Sequence, residues 1–249
     1  MSRLLVKADD YGFTDAVSVG ILLAHKNGIV KNTAMMVNMP AAVNGAQWIK
    51  AFPELCLGLH TNIVVGLPCA DPEKIPGLLR EDGHFVSSKI RREQLAQGLD
   101  PFSEEEIFIE CDAQVDRFIQ LNGKLPEYIE GHAVGSPRMQ EAILRVAKKR
   151  GIKILPHHQP AAWVMPQWGN NNYDFYKTGR PLHEYFTQVL DLSAELNLFV
   201  AHPGFVDHDL MQWSSLNIER TLDYALLTDP QVIQYLKDKK IDLISFREV

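Results

Sequence analysis

Long apolar runs are missing from this sequence. The first hydrophobic stretch, Leu4 to Val6, is broken at once by Lys7 and the acidic pair Asp9-Asp10. That is far short of the ~20 apolar residues of a membrane helix and of a signal-peptide core, so a cytoplasmic location without membrane contact is expected. Cysteine is scarce. Cys56, Cys69 and Cys111 form no CxxC pair and leave one over, which fits buried thiols in a reducing compartment rather than a disulfide framework. Basic charge is also in deficit, with 25 Lys and Arg against 31 Asp and Glu, a net charge of −6. The longest basic run, Lys148-Lys149-Arg150, precedes Gly151 and reads as the cationic end of a helix, so nucleic acid is not an expected partner. Internal repeats and low-complexity tracts are absent. With 46% hydrophobic and 22% charged residues, the composition excludes intrinsic disorder and collagen-like chains.

What is present is an alternation of two periods within 249 residues, a length that one α/β domain spanning 1–249 accounts for. Short runs rich in β-formers predict strands at Leu4–Ala8, Thr33–Val37, Leu55–Leu59, Tyr128–Glu130, Lys153–Leu155, Leu198–Ala201 and Asp242–Ser245. Between them lie helical patterns with recognisable ends. Thr14 caps a helix running to Asn27 with Gly28 behind it, and Ser103 with Glu106 opens one that ends at Asn122-Gly123. Further helices are expected over Ala41–Phe52, Met139–Arg150, Leu216–Leu227 and Pro230–Lys239. Strand–helix alternation of this kind predicts a parallel sheet covered by helices, closed or nearly closed into a barrel, with a doubly wound open sheet as the alternative. Two long stretches interrupt it: residues 66–100, and residues 156–180 with Trp163, Trp168 and Asn170 to Asn172.

Polar residues that are costly to bury stand just past the predicted strands. They are Asp9-Asp10, Asn38, His60, His132, His157-His158 and His202, whereas His25, His84, His183 and His208 lie elsewhere. Strand ends of a parallel barrel converge on one rim, where such folds carry their chemistry. Two imidazoles and a carboxylate suit a divalent cation with open coordination positions, although each histidine alone also suits a structural hydrogen bond. In the pair Asp9-Asp10 one carboxylate could hold a cation while the other accepts a proton; a helix cap or a solvated loop is the plainer reading. His202, fixed by Pro203 and Gly204, suits a general acid or a turn histidine bonded to backbone. Trp163 and Trp168 offer faces for a sugar ring, or staples for their own loop.

Taken in order, LLVKADDYGFTDAVSVGILLAHKNGIVKNTAMMVN, GLHTNIVVGLP, IEGH, VAHPGF and ERTLDYALLTDP resemble the YdjC-like carbohydrate deacetylases, the family that includes chitooligosaccharide deacetylase. The resemblance covers essentially the whole chain. It implies a distorted (β/α) barrel of about seven parallel strands that removes acetyl groups from N-acetylated sugars. It also implies a divalent metal, magnesium by family, with zinc or another transition metal as alternatives. By motif, Asp10, His60 and His132 would be the metal ligands, Asp9 the base and His202 the acid. Arg220 would orient Asp9 or another acid, on the substrate side with Trp163 and Trp168. The implied partner is a small carbohydrate, and base rates for soluble oligomers suggest a homodimer. Two further readings are a metal-dependent hydrolase of another amide or ester and a non-catalytic sugar-binding descendant. One departure is visible: family members carry a run of the form S-H-x-H-x-H after the fourth strand, and here Val134 and Ser136 follow His132 in place of its other two histidines.

Overall fold

Apolar residues with β propensity fill the N-terminal nine-residue strand β1 (Arg3–Tyr11), in which all but Arg3 are buried. In the computed structural model, which describes residues 2–154, 179 and 181–249, six more strands run parallel to it: β2 (Asn32–Met35), β3 (Cys56–Thr61), β4 (Tyr128–Gly131), β5 (Lys153–Ile154), β6 (Leu196–Ala201) and β7 (Asp242–Ile244). The order across the sheet is β5-β4-β3-β2-β1-β6. β6 pairs with β1 from Arg3↔Leu196 to Ala8↔Ala201. The opposite edge of β1 is shared, with β7 along Arg3 to Leu5 and β2 from Lys7 onward. Among the described residues no pairing joins β5 to β6, so the expected barrel is a parallel half-barrel wrapped by helices.

The helices are α1 (Asp15–Asn27), α2 (Ala42–Trp48), α3 (Ser88–Ala96), α4 (Glu104–Asn122), α5 (Pro137–Arg150), α6 (Leu182–Val189), α7 (His208–Trp213), α8 (Glu219–Thr228) and α9 (Pro230–Asp238). Thr14 caps α1 by accepting from the Val17 amide at 3.2 Å, and Gly151, at φ 68°, ends α5 in the left-handed conformation. The helix expected over Ala41–Phe52 breaks at Ile49 into one 3₁₀ turn, and the helix expected from Leu216 starts at Glu219. Three short helices, α3, α6 and α7, are additional. No helix among the described residues is long and apolar enough to cross a membrane.

Alternation along the strands sorts side chains into two layers. Leu4, Val6 and Ala8 pack outward among the helices, while Leu5 joins Ala34, Cys56, Tyr128, Leu198 and Val200 in a second apolar cluster on the concave face. That cluster is a floor. Above it, toward the strand C-termini, the concave face turns charged.

The turn after β6 is clamped against α1. Gly204 accepts the close approach of Gly20, and the Phe205 amide donates to the Ala16 carbonyl at 3.3 Å. A Cβ on Gly20 would lie 2.6 Å from Gly204 Cα, which is backbone and cannot swing aside. Gly→Ala inside an ordinary helix gains about 1 kcal/mol. Here Gly20→Ala is expected to lose about 1–3 kcal/mol by overpacking, read from urea denaturation; a variant as stable as the parent or more so would contradict this packing.

Candidate metal centre

The concave face carries the site because its residues recur every second position. Lys7 and Asp9 follow Leu5 on β1, Gly58 and His60 follow Cys56 on β3, Glu130 on β4 and His132 just past its end follow Tyr128, and His202, just past the end of β6, follows Val200. Asp10 breaks this rule. By alternation it would face the helices with Ala8, yet its backbone takes φ 73°, and three residue steps on β1, from Ala8 to Tyr11, span two on β2, from Thr33 to Met35. The bulge re-aims the Asp10 carboxylate into the crevice beside Asp9. Aspartate is among the few residues that tolerate the left-handed region. The sequence placed this pair beyond the strand end; the structure keeps it within β1 because pairing resumes at Tyr11.

Three of the predicted ligand atoms converge. Asp10 Oδ1 lies 3.3 Å from His60 Nε2 and 3.2 Å from His132 Nδ1, and the two imidazole nitrogens are 3.1 Å apart. One proton can bridge only two of these three acceptors, whereas one cation satisfies all three. Donors ~2.1 Å from a common ion sit ~3.0 Å apart on an octahedral face and ~3.4 Å apart in a tetrahedron, so the triangle has the size a divalent ion requires. A second acidic group, Asp9, His60 and Glu130, is already bridged by the Lys7 ammonium, which meets Asp9 Oδ1 at 2.8 Å and also Glu130 Oε2.

Two of the three candidate ligands, Asp10 and His60, are held from behind. Arg220, from α8, donates from Nη2 to Asp10 Oδ2 at 2.7 Å and from Nε to the Leu216 carbonyl at 3.0 Å. The acid that Arg220 orients is therefore Asp10. Burial alone would raise the Asp10 carboxyl, but the Arg220 charge and the two imidazoles hold it well below the usual carboxylate range. His60 Nδ1 lies 3.3 Å from Glu130 Oε1. Burial pulls the His60 imidazolium down; the charge of Asp9, with Asp10 and Glu130, outweighs it and pushes the group up to about 10. Asp9 Oδ2 stands 4.0 Å from both His60 Nε2 and His202 Nε2. The His202 amide donates to Asp223 Oδ2 at 2.8 Å, fixing the tip of β6.

Asp9, Asp10, His60, His132, His202 and Arg220 all border one cavity of about 700 Å³, with Trp213, Phe13, Arg80 and Arg92 farther out. Trp163 and Trp168, like His157-His158, lie outside the described residues. Sequence reasoning passed over Lys7, Glu130, Asp223 and Trp213. Only the period-two spacing of Lys7 from Asp9 and of Glu130 from His132 marked the first two.

Residues 3–238 match the family described as YdjC-like protein. The chain belongs to the YdjC-like family. Similar proteins include carbohydrate deacetylase 2 of Listeria innocua, 27% identical with 99% of this chain and 98% of that protein covered. Carbohydrate deacetylase of Geobacillus stearothermophilus is 30% identical, with 98% and 96% covered. In fold, the chain resembles a crystal structure from Enterococcus faecalis V583 named for cellobiose-phosphate cleavage, with TM-score 0.83, 23% identity and 99% and 98% of the chains covered. Peptidoglycan deacetylase PdaC from Bacillus subtilis is a more distant fold relative, with TM-score 0.51, 12% identity and 99% and 89% covered.

In this YdjC-like chain the two positions that depart from the histidine-rich run have taken structural work. Val134 is buried in the outer core, and Ser136 caps α5 through the Met139 amide while donating to Asp100 Oδ2 at 2.8 Å. His132 is the histidine that this segment brings to the centre.

Arg220→Met keeps the bulk of this buried side chain but leaves Asp10 without its counter-charge, so a loss of about 3–5 kcal/mol is expected at neutral pH from denaturant unfolding. Because the folded carboxyl lies below its ordinary value of 3.8, the pair stabilises above that pH and is lost on acidification. The gap between parent and variant should therefore shrink in acid; a gap independent of pH would contradict the pairing.

Proposed function

We propose that this protein is a metal-dependent carbohydrate deacetylase that hydrolyses the acetamide of an N-acetylated sugar to acetate and the free aminosugar. The observation that carries the reading is the donor triangle of Asp10, His60 and His132 with Asp9 and His202 beside it, at the base of a cavity large enough for a sugar. The names of the relatives agree. A bound divalent cation supplies polarisation of the acetamide carbonyl and acidification of water, worth several kcal/mol in the transition state. Magnesium is the ion the family resemblance suggests; two imidazole donors also suit zinc or another transition ion, and reconstitution with each in turn separates them.

The chain's own residues supply the proton transfers. Asp9 keeps one oxygen on Lys7 and turns the other, Oδ2, toward the centre. There it takes the proton of the attacking water as the new C–O bond forms. His202 has 29% of its side chain exposed and so stands at the mouth, where it delivers a proton to the sugar nitrogen as the C–N bond breaks. Each transfer contributes on the order of 10²- to 10⁴-fold. Arg220 does not touch the sugar in this scheme; it fixes Asp10. Trp213, 37% exposed on the cavity wall and 6.4 Å from Phe13 between ring centroids, offers the aromatic face on which a sugar ring stacks.

Asp9→Asn and His132→Ala are each expected to lower acetate release from N-acetylglucosamine and its oligomers by at least ~10²-fold, and a chelator should silence the parent reversibly. Variants that release acetate as fast as the parent would refute the reading. For Trp213→Ala, KM for the oligomers should rise roughly tenfold with kcat little changed, the mark of lost stacking rather than lost chemistry. A fall in kcat at constant KM would move Trp213 from binding to catalysis.

A further inference from the structure

Two buried charges have no part in the proton transfers just described. Lys7 is 1% exposed and Glu130 4% exposed, on strands 123 residues apart in sequence. An apolar pair of similar volume at such a place is often as stable as an ion pair or more so, so stability alone does not account for them. Their connections do. Lys7 Nζ holds Asp9 Oδ1 at 2.8 Å and donates to Glu130 Oε2, and Glu130 Oε1 lies 3.3 Å from His60 Nδ1. The result is one chain of contacts, Asp9–Lys7–Glu130–His60, running beneath the centre.

Geometry gives each link a consequence. A carboxylate beside His60 Nδ1 favours keeping a proton on that nitrogen, so that Nε2, which faces Asp10 and His132, is the nitrogen that gives up its proton to a cation, and the carboxylate raises its basicity as a ligand. An ammonium on Asp9 Oδ1 fixes the carboxylate rotamer, so that Oδ2 is the oxygen presented to the centre. Lys7 and Asp9 share a face because they are two apart on β1, while His60 and Glu130 are register partners on β3 and β4. Gly58 leaves room on β3 for the Tyr128 ring, which packs where a Cβ would stand. The Lys7 ammonium stays charged, since the two carboxylates outweigh the pull of burial. We infer that Lys7 and Glu130 are positioning residues that couple the base Asp9 to the ligand His60, setting which oxygen and which nitrogen face the substrate. The kinetic side of this rests on the deacetylase reading; the ligand side rests on geometry.

The test compares the parent with the double variant Lys7→Met/Glu130→Gln, which removes one charge of each sign and so leaves the net buried charge unchanged. Zinc affinity is measured by competition calorimetry, kcat and KM by acetate release, and folding by thermal unfolding. The double variant is expected to fold and to bind zinc about 10- to 100-fold more weakly. Its kcat is expected to fall at least tenfold while KM stays within roughly threefold. A folded double variant with zinc affinity and kcat both within roughly threefold of the parent overturns the inference, because a merely structural pair would leave both untouched. Should the double variant not fold, Glu130→Gln alone decides: about tenfold weaker zinc binding supports the coupling and unchanged binding refutes it. If the parent releases no acetate from any N-acetylated sugar, the deacetylase reading falls, while the zinc measurements still decide the role of the pair.

Discussion

The buried ion pair between Asp10 and Arg220 is the interaction on which the rest of the site depends. It ties a left-handed residue in the first strand to a helix 210 positions later. Without it only the two imidazoles are left to hold the Asp10 carboxylate in the crevice, and the triangle with His60 and His132 loses its anchored corner. Left-handed backbone outside glycine costs on the order of 1–3 kcal/mol and persists only where surroundings over-determine it. Here the surroundings are a guanidinium with its own carbonyl anchor on one side and renewed strand pairing at Tyr11 on the other.

The concave face of the half-barrel is layered by chemistry. An apolar floor of Leu5, Cys56, Tyr128, Leu198 and Val200 excludes water from below. The next layer is ionic, with Lys7 and Glu130, and the top layer carries Asp9, Asp10, His60, His132 and His202. In such a low-dielectric setting charges interact strongly and every one must find a partner. The arrangement meets that demand by placing opposite charges in successive layers, so the carboxylates that line the crevice are anchored from beneath or from behind.

Much of this was legible in the sequence, for a physical reason. Strand-end histidines announce themselves because a buried imidazole after an apolar run is costly without a purpose, and His60, His132 and His202 indeed converge. The parallel α/β architecture followed from the alternation of strand and helix patterns. What escaped were features set by distant neighbours. Lys7 inside a strand looks like an interruption until Glu130 and Asp9 are seen around it. The turn at Asp10 depends on a register slip against β2, which no local pattern encodes. Trp213 sits on a six-residue helix too short to carry a periodic signal, and Val134 and Ser136 revealed their structural roles only through the core and the α5 cap.

The central claim is that Asp10, His60 and His132 surround one cation. Anomalous diffraction from zinc-loaded crystals tests it most directly. The account predicts one peak at ~2.0–2.2 Å from Asp10 Oδ1, His60 Nε2 and His132 Nδ1 together. A peak that leaves out any of these three atoms, or no peak in the crevice from crystals grown in excess zinc, would contradict it.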